Sequence, residues 1–265
     1  MGCSVCSSSS CVSSLSSYGT CPDKFGCYPN MPADFCIKRH DTKPPFKVAV
    51  EDCDGPLDLT GLVLESSMWS MAKLKKDIGP DDTIIQFADN IGFEQCAVGD
   101  IIVMQRVRAP EQMLVVDFDE INYYVVVQRG YHGTPISSFK KGTVLRVFRV
   151  LNAPGTTEMD MEDVQQVDGS ITEDQITESR LVYEWNANDT CLPGCYFFEF
   201  KLLKMLTSSD PSVTPSPGIS ETGSYTAYQM GCTAGVGVDW VRRYPNNAEG
   251  YLIKINDSPT SENVF

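Results

Sequence analysis

Cysteines near the start of the chain could bind a metal ion or form disulfides. The chain has 11 cysteines, and the first 36 residues contain Cys3, Cys6, Cys11, Cys21, Cys27 and Cys36. Four thiolates in a tetrahedral arrangement would bind zinc or, less often, iron, whereas six thiols under oxidising conditions would give three disulfides with 15 alternative pairings. One C-x2-C pair without a second is a weak zinc signal. The spacing therefore favours disulfides, leaves zinc as the alternative, and indicates no other cofactor.

A second pair of thiols, Cys191 and Cys195, flanks the segment Leu192-Pro193-Gly194. If these residues form a tight hairpin, the two sulfurs come within disulfide distance. The alternative is a pair of free thiols packed in the core.

The histidines offer little support for catalysis. The chain has two, His40 and His132, and neither lies in a G-x-S-x-G or H-E-x-x-H motif. A general base needs a hydrogen-bonded partner and a pocket that adjusts its pKa. We therefore expect His132 to be a turn residue and the chain to have no enzymatic activity.

The segment around His132 predicts a structural framework of turns. Gly130 and Gly133 can adopt positive φ without a Cβ penalty, and Gly142 belongs to the same framework of turns. Arg129 carries five N–H donors, enough to tie the end of a strand to several backbone carbonyls or to Glu120. The prediction is a scaffold role for Arg129 and the three glycines.

Acidic residues dominate the charge of the chain. Lys and Arg total 21 against 35 Asp and Glu, a formal net charge of -14, which disfavours binding to nucleic acid or anionic membranes. Residues 158–178 hold eight carboxylates and no Lys or Arg. The EF-hand order is absent, so this run predicts a solvated loop with one short helix rather than a calcium site.

The last quarter of the chain contains aromatic residues near two arginines. Residues of these types often anchor protein interfaces, and ordinary packing of an edge strand is the alternative. The candidate interface residues are Tyr225, Tyr228, Trp240, Arg242, Arg243 and Tyr244.

The candidate residues lie on or between short apolar runs that are separated by turn residues. Alternating runs such as Val63, Glu65, Ser67, Trp69 and Met71 on one face predict β-strands. Five further runs between about residues 84 and 150 predict a small antiparallel barrel or meander. The sequence contains no run of 18 apolar residues, so it predicts no membrane-spanning helix.

Two stretches carry a resemblance to tailed-phage virion proteins. "DGPLDLTGLVLESSMW" followed by "YEWNANDTCLPGCYFFEFKLL" resembles the N-terminal β-sandwich of phage upper baseplate proteins. Residues 87–147 resemble a module of phage tail, baseplate and fibre proteins, and the matching positions are Gly99-Asp100, Glu120, Tyr123 or Tyr124, Arg129-Gly130, Gly133-Thr134, Gly142 and Val144. This chain departs from that pattern at Phe139, where the family has His, and at His132.

The resemblance implies an all-β fold, specifically an antiparallel sandwich of immunoglobulin-like or jelly-roll-like type with an inserted small β-barrel. The expected divisions are a Cys/Ser-rich arm at 1–45, a sandwich at 46–83, 151–205 and 236–258, an inserted barrel at 84–150, and an extended arm at 206–235. The low-complexity arms are expected to order on neighbouring subunits.

The function implied by the resemblance is that of a structural adaptor in the baseplate, collar or fibre attachment region. Expected partners are other virion proteins and copies of this chain in a trimer or ring, after synthesis in the host cytoplasm. A carbohydrate-binding tail protein and a secreted Cys-rich adhesion module are the alternatives.

Overall fold

The computed structural model describes residues 33–52, 55–104, 109–165, 171–205, 238–245 and 250–256. Nearly all regular structure in these ranges is β, which confirms the predicted fold class. The strands are β1 Phe35–Lys38, β2 Phe46–Ala49, β3 Glu51–Asp52, β4 Gly55–Pro56, β5 Leu62–Lys73, β6 Ile84–Gln86, β7 Ile101–Met104, β8 Glu111–Asp119, β9 Tyr124–Gln128, β10 Val144–Pro154, β11 Thr156–Gln165, β12 Ile171–Tyr183, β13 Gly194–Met205, β14 Val238–Tyr244 and β15 Tyr251–Asn256. Helix α1, Asn90–Glu94, and a 3-10 turn, Tyr131–Gly133, complete the described elements.

Two main sheets face each other in a sandwich. The larger sheet has the strand order β1-β15-β13-β5-β10-β7-β8-β9-β6, with β14 also paired to β13. The smaller has the order β11-β12-β2. Pairing is antiparallel throughout except between β1 and β15, which are parallel. The chain crosses from the small sheet to the large one between β12 and β13.

Aromatic side chains fill the space between the two sheets. Phe46 of β2 is 1% exposed and lies near the centre of this first core. Its ring centroid lies 5.2 to 6.4 Å from those of five neighbours, which are Phe35, Trp185, Phe198, Phe200 and Tyr251. Each buried ring contributes roughly 1.5–3 kcal/mol, so this cluster stabilises the contact between the sheets.

A second core lies under the β5-β10-β7-β8-β9-β6 part of the large sheet. Ile102, Met104 and Met113 are fully buried there. The five strands expected between residues 84 and 150 are present, but they do not close into the predicted barrel. β6 and the end of β5 meet at the bridge between Leu74 and Phe87 rather than along a ladder, because β6 is three residues long and offers few groups for pairing.

β5 and β10 connect the two cores. On β10, Val147 belongs to the second core and Val150 to the first. On β5, Met68 belongs to the first core and Ala72 to the second. Trp69 packs against Phe148 between them, with ring centroids 5.5 Å apart. The inserted segment therefore shares its supporting strands with the sandwich.

Strand β1 lies within the segment that the sequence analysis assigns to the N-terminal arm. It pairs with β15, and both Phe35 and Ile37 enter the first core. Phe35 and Ile37 alternate with the other residues of a run of only four, which gives a weak sequence signal for a strand. The rest of that arm before residue 33, and the arm predicted at 206–235, lie outside the described residues.

The acidic run predicted to be a loop is largely strand. Residues 156–165 form β11, which pairs with β12 over a long antiparallel ribbon. Cations from elsewhere offset its charge: Arg180 Nη2 lies 2.9 Å from Asp160, and Lys47 of β2 donates to Glu158 at 2.8 Å. The loop prediction was wrong because it counted charges within the segment and could not include these partners.

Candidate functional site

The guanidinium of Arg129 is the centre of the predicted turn framework. Its Nε donates to Glu111 Oε1 at 2.6 Å, and Nη2 donates to Glu111 Oε2 at 3.0 Å. Nη1 donates to the carbonyls of Gly79 at 2.7 Å and Asp82 at 2.8 Å, and Nη2 also reaches the carbonyl of Ser137. All five N–H donors of the side chain are thus used.

The acidic partner of Arg129 is Glu111, not Glu120 as the sequence analysis offered. Arg129 follows β9 directly, and the antiparallel β8-β9 register places the start of β8 beside it. Glu120 lies in the exposed turn at the far end of this hairpin. The side chains of Arg129 and Glu111 are 4% and 0% exposed. A buried bidentate pair of this kind is strong because each charge is fully hydrogen-bonded.

Glu111 also holds the segment that follows the turn. Its Oε2 accepts a hydrogen bond from the Ser137 amide at 2.8 Å, while the Ser137 carbonyl accepts a hydrogen bond from Arg129 Nη2. One ion pair therefore fixes the ends of β8 and β9, the loop at 79–82 and the segment at 137. The sequence carried one weak signal for Glu111, a charged residue shortly before the apolar run Met113-Leu114-Val115-Val116.

The predicted glycine turns are present. Gly130, Gly133 and Gly142 have φ of +61°, +72° and +81°. At Gly130 the space is also restricted, since a Cβ would lie 2.9 Å from Ile136 Cγ1 and 3.1 Å from the Thr134 carbonyl. Thr134, which the sequence pattern includes, accepts from the Gln112 amide and donates to the Tyr131 carbonyl, both at 2.9 Å.

Gly142 belongs to a separate turn of the same framework. Its amide donates to the Leu74 carbonyl at 2.9 Å, which ties the loop to the end of β5. The neighbouring Asp77 accepts from Lys140 Nζ at 2.8 Å and from the Lys141 amide at 2.7 Å. These hydrogen bonds hold the pKa of Asp77 below its usual range, and the bond from Lys140 has the larger effect.

His132 lies on the exposed side of the turn. Its φ is +55°, and its Nδ1 lies 3.0 Å from Oε1 of Gln112. Its ring also lies against that of Tyr131, with centroids 3.9 Å apart. Phe139, which replaces the His of the family pattern, is buried in the second core and bridges to Ile78. The contacts of His132 support the turn interpretation.

The thiol predictions have mixed outcomes. Cys195 is disulfide-bonded whereas Cys191 is a free thiol, so the predicted Cys191–Cys195 disulfide is wrong. Cys191 lies in the crossing between the two sheets instead of a hairpin, and its thiol is directed at Arg149. Cys36 is disulfide-bonded, and the predicted pairing among the six N-terminal cysteines stays a prediction. The remaining N-terminal candidates, Cys3, Cys6, Cys11, Cys21 and Cys27, lie outside the described residues.

The candidate interface residues are partly described. Trp240, Arg242, Arg243 and Tyr244 lie on β14, which pairs with β13. Arg243 Nη1 reaches Glu199 at 3.1 Å, the Arg242 guanidinium lies 5.4 Å from the Tyr244 ring centroid, and Tyr244 packs against the first core. Their role as an interface stays a prediction, and Tyr225 and Tyr228 lie outside the described residues.

The part of the chain that the structure describes was compared with two kinds of site, a metal-ligand cluster and a membrane-spanning helix. No group of three or more His, Cys, Asp or Glu side chains in those ranges lies together as a metal site would require. No helix within them is long and apolar enough to cross a membrane. The carboxylates of the Arg129 framework are occupied by Arg129, Lys140 and backbone amides.

No known family model matches the chain, and no curated protein matches it in sequence. The functional argument therefore depends on the geometry of this chain. Around Arg129 that geometry is a network in which charged groups bind the protein's own backbone.

Proposed function

We propose that this protein is a non-enzymatic structural adaptor of a tailed-phage virion, located in the baseplate, collar or fibre attachment region. The proposal is supported by the framework around Arg129, whose five donors bind Glu111 and three backbone carbonyls. A polar network used in this way fixes strand ends and loops, as a docking platform requires.

A platform made of two cores suits an adaptor. Because β5 and β10 supply residues to both cores, a load on one part passes directly through shared strands to the other. A hinged pair of modules joined by a linker would transmit such a load less effectively.

Exposed edges and tips provide places for neighbouring subunits. β11 is one of the two edge strands of the smaller sheet, and among the described strands it pairs with β12 alone, so a neighbour's strand can add to its other edge. On the larger sheet, Ile121 on the β8-β9 turn is 88% exposed and Tyr123 is 51% exposed. Contacts of these two kinds, with repeated copies in a trimer or ring, are the proposed mode of assembly.

Mass spectrometry of purified virus particles from the source host tests this function. We expect the full chain in the particles at a fixed number of copies, and protected from added protease within them compared with the isolated protein. Particles that lack the chain would overturn the proposal.

A second experiment distinguishes the adaptor function from binding of host carbohydrate. A glycan array with the isolated full chain is the appropriate probe, with light scattering to give the oligomeric state. A stable monomer that binds one glycan specifically would favour the carbohydrate-binding alternative over the adaptor.

A further inference from the structure

A buried cluster at the junction of the two cores contains a free thiol. Nη1 of Arg149 donates to Cys191 Sγ at 3.1 Å, and Nη2 lies 3.0 Å from Asp100 Oδ2. The side chains of Arg149 and Asp100 are 6% and 4% exposed. A guanidinium thus lies between a thiol and a carboxylate, and the Arg129 framework includes none of the three.

A β-bulge places Arg149 in this position. The register of β10 on β5 shifts between Phe148 and Val150, so Arg149 is the extra residue. An extra residue re-aims its side chain relative to the regular alternation of the strand. The charged side chain consequently enters the junction, where Val147 on one side and Val150 on the other contribute to different cores.

Backbone hydrogen bonds hold Cys191 in place. The Cys191 carbonyl accepts a hydrogen bond from Arg39 Nε at 2.8 Å, and its amide donates to the Asn188 carbonyl. The residue is partly exposed, whereas Cys96, the other free cysteine in the described ranges, is buried. Burial also raises the pKa of Cys96, which makes that thiol a poor nucleophile.

The positive charge of Arg149 is incompletely matched. Its Nε has no hydrogen-bond acceptor in the described part of the chain, whereas Nη2 forms an ion pair with Asp100 Oδ2 at 3.0 Å. Burial raises the pKa of Asp100 to about 7, with Arg149 opposing the shift. A buried cation with an unused donor favours any negative charge that develops on the neighbouring sulfur.

We propose that Cys191 is a peroxide-reactive thiol whose oxidation to sulfenic acid is promoted by Arg149. The sulfur attacks one oxygen of hydrogen peroxide, the O–O bond breaks, and an S–O bond forms. The departing hydroxide takes the thiol proton and leaves as water, so that sulfur loses two electrons and peroxide gains them. The guanidinium then hydrogen-bonds the new oxygen. This proposal is independent of the adaptor function.

The test compares Cys191 in the folded protein with the same cysteine in a peptide. The full chain, prepared without reductant, is treated with hydrogen peroxide and a 1,3-diketone that traps sulfenic acid, and the label is located and timed by mass spectrometry. A peptide of residues 188–194 is the reference. We expect Cys191 to react about tenfold faster than the peptide and Cys96 to stay unlabelled. A rate at or below that of the peptide overturns the proposal, whether or not any variant folds.

Variants then assign the effect to Arg149. Arg149→Gln is expected to reduce the rate about tenfold. The matched control is Arg146→Gln on the same strand, whose guanidinium lies 5.1 Å from the Trp69 ring centroid, and it should leave the rate unchanged. A folded Arg149→Gln protein with an unchanged rate removes Arg149 from the proposal.

Asp100→Asn gives a second measurement that keeps Arg149 in place. It removes the anion that competes with sulfur for the guanidinium, so the rate should rise about threefold. A fall in rate for a folded Asp100→Asn protein would contradict the proposed role of the cation.

Discussion

At the scale of single residues, the buried pair of Glu111 and Arg129 determines how the turns are held. Glu111→Gln would keep the shape of the side chain but leave a buried guanidinium without its counter-charge. We expect the free energy of unfolding to fall by about 3–5 kcal/mol. Asp77→Asn is the control, because its pair with Lys140 is 57% and 87% exposed, and it should leave the free energy of unfolding nearly unchanged since solvent screens an exposed pair. Urea denaturation of both variants checks this, and equal losses would contradict it.

Gly130 illustrates a constraint on both conformation and space. Gly130→Ala should lower the free energy of unfolding by about 1–3 kcal/mol, since φ is +61° and the added Cβ would meet Ile136 and the Thr134 carbonyl. Gly142→Ala is matched to it, with φ of +81° but nothing within 4 Å of its Cβ. Thermal unfolding of the two variants separates backbone strain from collision. A larger loss at Gly142 would argue against the collision.

Glu65 gives the protein a pH dependence that can be assigned to one group. Burial raises its pKa from 4.5 to about 7, opposed by Lys201 across the β5-β13 pair. The unfolded chain ionises first, so this residue lowers stability progressively as pH rises from about 4.5 to about 7, and the loss is constant above that range.

Glu65→Gln should therefore be more stable than the natural protein at pH 8 by about 3 kcal/mol, with a difference of about 1 kcal/mol or less at pH 5. Urea titrations at the two pH values give the comparison. Glu120→Gln, at an exposed position in the β8-β9 turn, should match the natural protein at both. A larger gain at pH 5 than at pH 8 would show that the carboxyl of Glu65 is not the group responsible.

How much of this could be predicted from the sequence depends on the kind of contact. The positive φ of Gly130, Gly133 and Gly142 could be predicted because only glycine adopts it at low cost. The choice of Glu111 over Glu120 depends on the register of β8 and β9, which the residue types do not contain. The Arg149 cluster depends on a bulge and on residues 42 to 49 positions apart, so the sequence offered no signal for it.

At the scale of elements, the β11-β12 ribbon shows how charge is tolerated in a strand. Arg180 Nη2 lies 2.9 Å from Asp160 and also contacts Glu178, while Nη1 lies 4.0 Å from Glu158. Three carboxylates therefore share one guanidinium. The acidic run alone does not indicate this arrangement, because Arg180 lies just beyond the run and cross-strand pairing brings it back over the run.

Arg180→Gln should loosen the ribbon locally, because the three carboxylates would then repel one another. We expect faster amide hydrogen exchange at 156–160 and 178–182, and partial recovery in high salt, which screens the repulsion. Lys43→Gln is the matched control, since its pair with Glu184 is 73% and 55% exposed. Exchange that stays unchanged in the ribbon, or rises equally in β7 and β8, would contradict the role of Arg180.

At the scale of the whole molecule, the sequence predicted most strands, with β1 and β11 as exceptions, but not how closely the two halves are joined. The apolar alternation of β6 to β10 is local and could be predicted from the residues. The division of β5 and β10 between two cores is not local, because it arises from pairing partners far apart along the chain. The predicted insertion is therefore one end of a continuous sheet, and this continuity has a thermodynamic consequence.

Because the two cores share β5 and β10, we expect them to unfold together. Met113 is fully buried in the second core, and Met113→Ala should lower the free energy of unfolding by about 2–5 kcal/mol. Hydrogen exchange by mass spectrometry should show that loss in β8, which contains Met113, and equally in β13, which lines the first core. Met161→Ala on β11, at a side chain that is 50% exposed, should change neither. Faster exchange in β8 with β13 unaffected would mean that the second core opens alone, and the shared strands would then not couple the two ends of the sheet.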